Sequence, residues 1–293
     1  MDNWQDYYIH ILKYIKPVSG RYDLASDWHG YGHLISSIVA EKVQANKKVM
    51  WIHDEKNDWL NKINKWLCKF DKFYCVSKSC KDIFIKNYPE ISKKADVFYN
   101  LSDFENIRKK SLENISLKFS NDNLNLITVG RLEWQKGYDI AIDTAIILKN
   151  KGIDFCWYVI GDGTLKNELQ EKIKENNLDD NFKLLGLQKN PFPYIKNCDM
   201  YIQPSRHEGY GLSVMEAKIL GVICIATNLG CIKEQINEGI NGFLCELDPE
   251  DFANKIIEVS KNKELIELVK DNLSKENFDY TKEFKKIYKL MED

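Results

Sequence analysis

Apolar positions along this chain fall into short runs separated by stretches with helical spacing. In the first hundred residues strand-like runs occupy Tyr22–Ser26, Lys48–His53, Lys72–Ser77 and Asp96–Tyr99. Between them the pattern turns helical near Leu34–Lys42, over Trp59–Phe70 and over Lys78–Asn87, and a further helix is expected over Asp2–Tyr14. Alternating strands and helices predict a parallel sheet covered by helices. Residues 100–123 are polar and rich in Asn, Ser and Lys, the composition of a linker. A second α/β series follows, with strands at Leu124–Val129, Phe155–Ile160, Phe182–Leu185, Asp199–Ser205 and Val222–Ala226. Its helices are expected over Tyr138–Lys149 and Lys166–Asn176 and from Ile232, and the chain beyond Asp251 reads as helical throughout. The expected class is α/β, with a first domain and linker over 1–115, a second domain over 116–275 and a carboxy-terminal helix over 276–293 that packs back on the first.

Composition narrows the function classes. A chain of 293 residues with 44% hydrophobic side chains can build two ordinary domains. A formal net charge of −2 gives no overall reason to expect a nucleic-acid partner. Residues 1–100 carry 16 basic against 12 acidic side chains, which makes that part the side better suited to an anionic surface. Eight cysteines lie mostly inside apolar runs without a C-x-x-C pair, the usage of buried reduced thiols in a cytoplasmic protein. The start, Met1-Asp-Asn-Trp-Gln-Asp, is acidic and polar and does not read as a signal peptide. No apolar run approaches the ~20 residues needed to span a bilayer. The expectation is a cytoplasmic protein, soluble or peripheral at the inner face of a membrane.

Candidate chemistry gathers at the carboxyl ends of the strands of the second series, where doubly wound sheets bind ligands. Four features sit there: Gly130-Arg131, Gly161-Asp-Gly163, Glu208–Leu212 and Thr227–Cys231. The segment Ser205-Arg-His-Glu-Gly-Tyr-Gly-Leu-Ser-Val-Met-Glu-Ala217 places two carboxylates, Glu208 and Glu216, around a glycine-broken turn that enters an amphipathic stretch. A strand, a glycine turn and a helix start aim backbone N–H groups at one point, where the helix dipole favours an anion. Arg131 and Lys136 bracket the turn after Leu124–Val129 and bring the fork and the point charge that a diphosphate needs. The structural reading of the same residues has Arg131 capping the sheet edge, Lys136 solvated and Gly161-Asp-Gly163 serving as an ordinary Rossmann turn.

Taken together, Gly130-Arg131-Leu…Lys136-Gly137, Gly161-Asp-Gly163, Asp199…Pro204-Ser205 and Glu208-Gly-Tyr-Gly-Leu…Glu216-Ala217 resemble the retaining glycosyltransferases of the group 1 (family four) type, whose E-x7-E signature matches Glu208 and Glu216. Gly242-Phe243 followed by Asp248-Pro249 is similar to the family's closing segment, and the resemblance covers roughly residues 123–260. It implies the GT-B fold of two facing Rossmann-like domains, here with a truncated amino-terminal one, and metal-independent transfer. The nucleotide sugar is then a substrate and no cofactor is expected; no D-x-D metal motif stands in a suitable strand–loop setting. The resemblance makes Arg131 and Lys136 the holders of the donor diphosphate, at the close turns of Gly130 and Gly163. The amides of Gly209, Tyr210, Gly211 and Leu212 would bind sugar hydroxyls and phosphate. Glu216 would bind the ribose, Glu208 would lie beside the transferred sugar, and Gly186, Leu187 and Gln188 would line the nucleobase.

In the first domain, His53 ends a buried strand and resembles the family's histidine near the transferred sugar; a structural histidine is its alternative. Trp28-His29-Gly-Tyr-Gly-His33 is a candidate lining of the acceptor cleft. Trp59, Leu60, Ile63, Trp66, Leu67 and Phe70 fall on one helical face with lysines elsewhere. Such a face lies on an anionic membrane or packs on its own sheet. The chain departs from the family before Arg21, where no strand and glycine-rich loop precede it. The expected function is transfer of a hexose from a nucleoside-diphosphate sugar, a UDP-sugar, to a glycan or lipid-linked acceptor with retention, in cell-surface polysaccharide synthesis. A catalytically weak donor-binding or scaffolding subunit of a glycan-assembly complex, completed by a partner subunit, is the alternative.

Overall fold

The computed structural model describes residues 4–120, 122–278 and 281–292. The chain divides into two compact units: one runs to Leu101 and includes the carboxy-terminal helix, and the other spans Ser102–Phe278. In the first unit α1 (Trp4–Leu12) precedes β1 (Arg21–Asp27), α2 (Leu34–Lys42) and β2 (Gln44–Ile52). After α3 (Asn64–Leu67) come β3 (Lys72–Cys75), α4 (Lys78–Asn87) and β4 (Ala95–Val97). The strands pair in parallel in the order β1-β2-β3-β4, the order in which they leave the chain.

The segment expected as one helix over Trp59–Phe70 is instead a 3₁₀ stretch over Asp58–Ile63 followed by the four-residue α3. The cause is legible in its spacing. Leu60, Ile63 and Trp66 recur every three residues, and a 3₁₀ turn eclipses side chains at that interval. All three, with Leu67 and Phe70, are buried in the core of this unit against Met50, Ile52 and Phe73. The apolar face is therefore committed to its own sheet and is not available to a membrane, which corrects the membrane reading of this segment.

In the second unit the residues expected as linker contain α5 (Phe104–Lys110), capped by Asp103, whose carboxylate accepts from Asn106 N–H at 3.0 Å. Its buried Ile107 is the apolar contact that composition alone concealed. Then follow β5 (Leu124–Val129), α6 (Tyr138–Asn150), β6 (Phe155–Ile160), α7 (Lys166–Glu175) and β7 (Phe182–Leu184). The chain crosses back through α8 (Phe192–Lys196), β8 (Met200–Gln203), α9 (Leu212–Ile219), β9 (Ile223–Thr227), α10 (Gly230–Lys233) and β10 (Phe243–Cys245). Helices α11 (Pro249–Lys261) and α12 (Lys263–Lys275) complete the unit. The six strands are parallel, ordered β10-β9-β8-β5-β6-β7, with a separate apolar cluster on each face of the sheet.

Helix α13 (Thr281–Glu292) returns to the first unit. Its Glu283 carboxylate accepts from Tyr99 N–H at 3.1 Å, and Lys286 donates to the Val97 carbonyl at 2.7 Å. Among the described residues no helix is long and apolar enough to cross a membrane.

Candidate functional site

In the second sheet the chain runs outward from β5 in one direction through β6 and β7, then in the other through β8, β9 and β10. The strand order reverses between β5 and β8, and the loops leaving their carboxyl ends diverge there, opening the crevice in which such sheets bind ligands. Those two loops carry Gly130–Gly137 and Pro204–Gly211, so topology and sequence motifs arrive at one place.

The loops are strapped together. Arg206 N–H donates to the Gln135 carbonyl at 2.8 Å, and the Gln135 side chain donates to the His207 carbonyl at 2.9 Å. The Arg206 guanidinium lies 4.5 Å from the centre of the Trp134 ring and grips Asp139 through two hydrogen bonds of 2.8 and 2.5 Å. That pairing holds the Asp139 carboxyl below its ordinary range and raises Arg206. At Gly137, which starts α6 with φ +66°, a Cβ would stand 1.8 Å from the Pro204 carbonyl oxygen. Gly137→Ala should therefore cost roughly 3 kcal/mol or more, adding backbone overlap to the left-handed strain of about 1–2 kcal/mol. Gly152→Ala, at φ +69° with nothing within 4 Å, should cost the strain alone. Equal losses for the two in chemical denaturation would contradict the strapped-loop account.

At the crevice Lys136 Nζ meets Glu208 Oε1 at 2.7 Å, the two side chains being 16% and 8% exposed. Gln203, 2% exposed at the end of β8, donates to the same oxygen at 2.5 Å. Tyr138 closes the wall behind them, its hydroxyl donating to the Gly130 carbonyl at 2.8 Å. The Cys231 thiol donates to the Glu208 carbonyl at 3.5 Å. A cation and a carboxylate of low exposure, joined by a neutral donor, concentrate opposite charges at one point between the β5 and β8 loops.

The second carboxylate, Glu216, lies on α9, little more than one turn past the loop. Burial pushes its carboxyl up to about 7, and among the described residues no cation or hydrogen-bond donor meets it. Such a group is stabilised by hydroxyl donors brought by a ligand. Helix α9 begins at Gly211 (φ +85°) without a side-chain cap, which leaves its first amides to an external acceptor. A Cβ on Gly211 would come within 2.6 Å of Ile232 Cδ1. Gln235 binds the Tyr210 carbonyl, and the buried Lys218 binds the Gln235 carbonyl and Glu276 (2.7 Å), so the turn rests on a polar base.

The other expected residues fall around this centre. Arg131 is exposed, and no described side chain holds its guanidinium. Gly161 N–H donates to the Gly186 carbonyl at 3.0 Å, joining the β6 and β7 turns. Gly163 is pressed on the Leu132 carbonyl, to which a Cβ would come within 2.5 Å. Leu187 is 80% exposed and Leu212 43%. His53 belongs to the first unit, past the end of β2. Its Nε2 lies 2.6 Å from the Trp28 carbonyl, an acceptor, so Nε2 carries the proton; burial lowers its pKa. His29 and His33 stand with ring centres 4.7 Å apart in the loop after β1. Among the described residues no cluster of His, Cys, Asp or Glu has the form of a metal site.

Sequence reasoning missed Gln203, Tyr138, Gln235 and the Arg206–Asp139 strap. Gln203 left a signal, a polar residue at the inner end of the apolar run Met200-Tyr-Ile-Gln. Tyr138 and Gln235 left none, because their role depends on which carbonyl the fold brings beside them.

Comparison with known proteins identifies the family and the fold. The family model described as glycosyl transferases group 1 matches residues 103–276. The chain is 32% identical over 207 residues to N-acetylgalactosamine-N,N'-diacetylbacillosaminyl-diphospho-undecaprenol 4-alpha-N-acetylgalactosaminyltransferase of Campylobacter jejuni, covering 69% of this chain and 54% of that protein. It is 29% identical over 232 residues to UDP-Gal:alpha-D-GlcNAc-diphosphoundecaprenol alpha-1,3-galactosyltransferase of Escherichia coli, covering 76% and 60%. The chain thus spans about half the length of the curated relatives it matches. Among solved structures, HepE of Anabaena in complex with UDP-glucose superposes with a TM-score of 0.76 at 19% identity, over 92% of this chain and 78% of that one. At that identity the likeness establishes the fold, the α/β architecture expected from the sequence.

Proposed function

The chain belongs to the group 1 glycosyltransferases, of GT-B fold, and from that premise we propose that it transfers a hexose from a UDP-sugar to a glycan or lipid-linked acceptor. The reading includes retention of configuration, no catalytic metal and a role in cell-surface polysaccharide synthesis. The observation that carries it is the Lys136–Glu208 pair at the point where the strand order reverses, with the uncapped start of α9 and the unpartnered Glu216 on the same edge. The names of the Campylobacter and Escherichia relatives contain diphospho-undecaprenol, which supports a lipid-linked acceptor, and a UDP-sugar donor has support from the second of those names.

In this reading Lys136 and Arg131 hold the donor diphosphate at the turns of Gly130 and Gly163. The amides of Gly209, Tyr210, Gly211 and Leu212 receive sugar hydroxyls and phosphate, and Gly186 and Leu187 flank the base. Glu216 accepts from the ribose hydroxyls, Glu208 lies beside the transferred sugar, and His53 is the histidine expected near that sugar. Breaking the anomeric C–O bond leaves a nucleoside diphosphate with added negative charge. Fixed cations and amides aimed there stabilise the transition state more than the ground state. Departure and attack on one face, with the leaving phosphate taking the acceptor proton, account for retention without a protein nucleophile. A lipid-linked acceptor calls for peripheral action at the inner face of a membrane.

A second reading, a catalytically weak donor-binding or scaffolding subunit, has support from one observation: among the described residues the sheet of the first unit has four strands where that of the second has six. A thermal-shift screen of nucleotides and nucleotide sugars tests the part common to both. UDP and one UDP-sugar should raise the melting temperature, and a chain indifferent to every nucleotide would remove the transferase and donor-binding readings and leave only scaffolding.

A further inference from the structure

We propose that Gln203 is a positioning residue that sets how Lys136 is shared between Glu208 and the diphosphate of the donor; this rests on the nucleotide-sugar reading of the same site. A carboxylate only accepts hydrogen bonds, so the Gln203 amide must turn Nε2 toward Glu208 Oε1, 2.5 Å away. Its Oε1 then faces the Tyr201 hydroxyl, which donates to it at 2.6 Å, closer than the Val129 carbonyl at 3.2 Å. Tyr201 is fully buried and Gln203 nearly so. The chain of hydrogen bonds from Tyr201 through Gln203 to Glu208 consequently has one direction, and it ends on the oxygen that Lys136 also meets at 2.7 Å.

Two donors share the Glu208 charge, one neutral and fixed on β8, the other cationic and mobile on the β5 loop. Because Gln203 satisfies part of the carboxylate, Lys136 can swing toward a phosphate without leaving Glu208 buried and bare. Remove the amide and Lys136 becomes the principal partner of Glu208; drawing it toward a ligand then exposes the cost of an unpaired carboxylate. Gln203 thus acts on phosphate binding from a position where it touches no phosphate itself.

The test is a set of calorimetric titrations with UDP and with uridine, which lacks phosphate. Gln203→Met keeps length and removes both hydrogen bonds; it should weaken UDP about tenfold, the loss of one hydrogen bond to a charged group, and leave uridine unchanged. In a Glu208→Gln background, where Lys136 has no carboxylate to serve, the same change should leave UDP affinity unaltered. Gln203→Glu adds a readout that a packing role would not move. A protonated glutamic acid can donate to Glu208, whereas an ionised one repels it and competes for Lys136. The ratio of its UDP affinity to that of the native chain should therefore approach one in acid and fall as pH rises. Equal weakening of UDP and uridine in Gln203→Met, or native UDP affinity in Gln203→Met and Gln203→Glu at every pH, would overturn the proposal. A native chain that binds no UDP would instead remove the nucleotide-sugar reading on which it rests.

Discussion

Replacing Lys136 with alanine should lower sugar transfer by about a hundredfold to a thousandfold, the range seen when one preorganised donor to a developing anion is removed. The loop that carries the lysine is held before any ligand arrives, strapped to the β8 turn by Arg206 and Gln135, so only the lysine side chain has to move to meet the developing charge. The same change should also destabilise the fold. It leaves Glu208, 8% exposed, without its cation, and breaking a buried pair from one side costs about 3 kcal/mol. The two effects separate in the double variant Lys136→Ala with Glu208→Gln. Neutralising the orphaned carboxylate should restore most of the stability and none of the turnover. Initial rates and denaturation curves of the three proteins check this, and an unchanged rate in Lys136→Ala would refute the lysine's role.

Glu216 gives the second large effect, visible in pH dependence. Its ordinary value is 4.5, and burial takes it to about 7 in the folded chain. Between those values the unfolded chain has released its proton while the folded chain keeps it, so stability falls as pH rises. The contribution is fully present below 4.5 and lost above about 7, with a span of up to about 3 kcal/mol. Glu216→Gln should remove this slope, leaving the variant more stable than the native chain at pH 8. The gain in stability comes with a loss of function. In the proposed site the ribose hydroxyls donate to an ionised Glu216, and two hydrogen bonds to a charged acceptor make Glu216→Ala weaken UDP roughly tenfold to a hundredfold. Glu208→Ala should impair transfer more than nucleotide affinity. Since the nucleotide favours the ionised carboxyl, UDP binding near pH 7 should release about half a proton more from the native chain than from Glu216→Gln. Calorimetry in buffers of different ionisation enthalpy measures that difference, and equal proton release by the two proteins would contradict the assignment.

The parts of this molecule legible in its sequence are those set by local pattern. Helices α2 and α4 and strands β5 and β6 follow from periodicity within a residue or two, because buried apolar spacing and helix-start residues decide them. The place where the candidate loops converge was legible for a related reason: strand–glycine–helix junctions mark the carboxyl edge of a parallel sheet wherever they occur. What escaped depends on contacts distant in sequence. Helix α5 rests on Ile107 and an Asp103 cap inside an otherwise polar stretch. The segment 58–67 passed for one helix because its three-residue spacing is close to the helical period. Gln203, Tyr138 and Gln235 bond partners that only the finished fold supplies. His53 was found as a strand-end histidine, yet its tautomer became clear only with the Trp28 carbonyl beside it.

The central claim is that the crevice at β5 and β8 binds a nucleoside-diphosphate sugar and releases its sugar. The most direct test is UDP or GDP release by the purified chain from a panel of UDP- and GDP-sugars, with and without lipid-linked acceptor, alongside calorimetric nucleotide binding. The account predicts turnover with at least one UDP-sugar, falling about a hundredfold or more in Lys136→Ala. Measurable nucleotide binding with no turnover of any UDP- or GDP-sugar would contradict it.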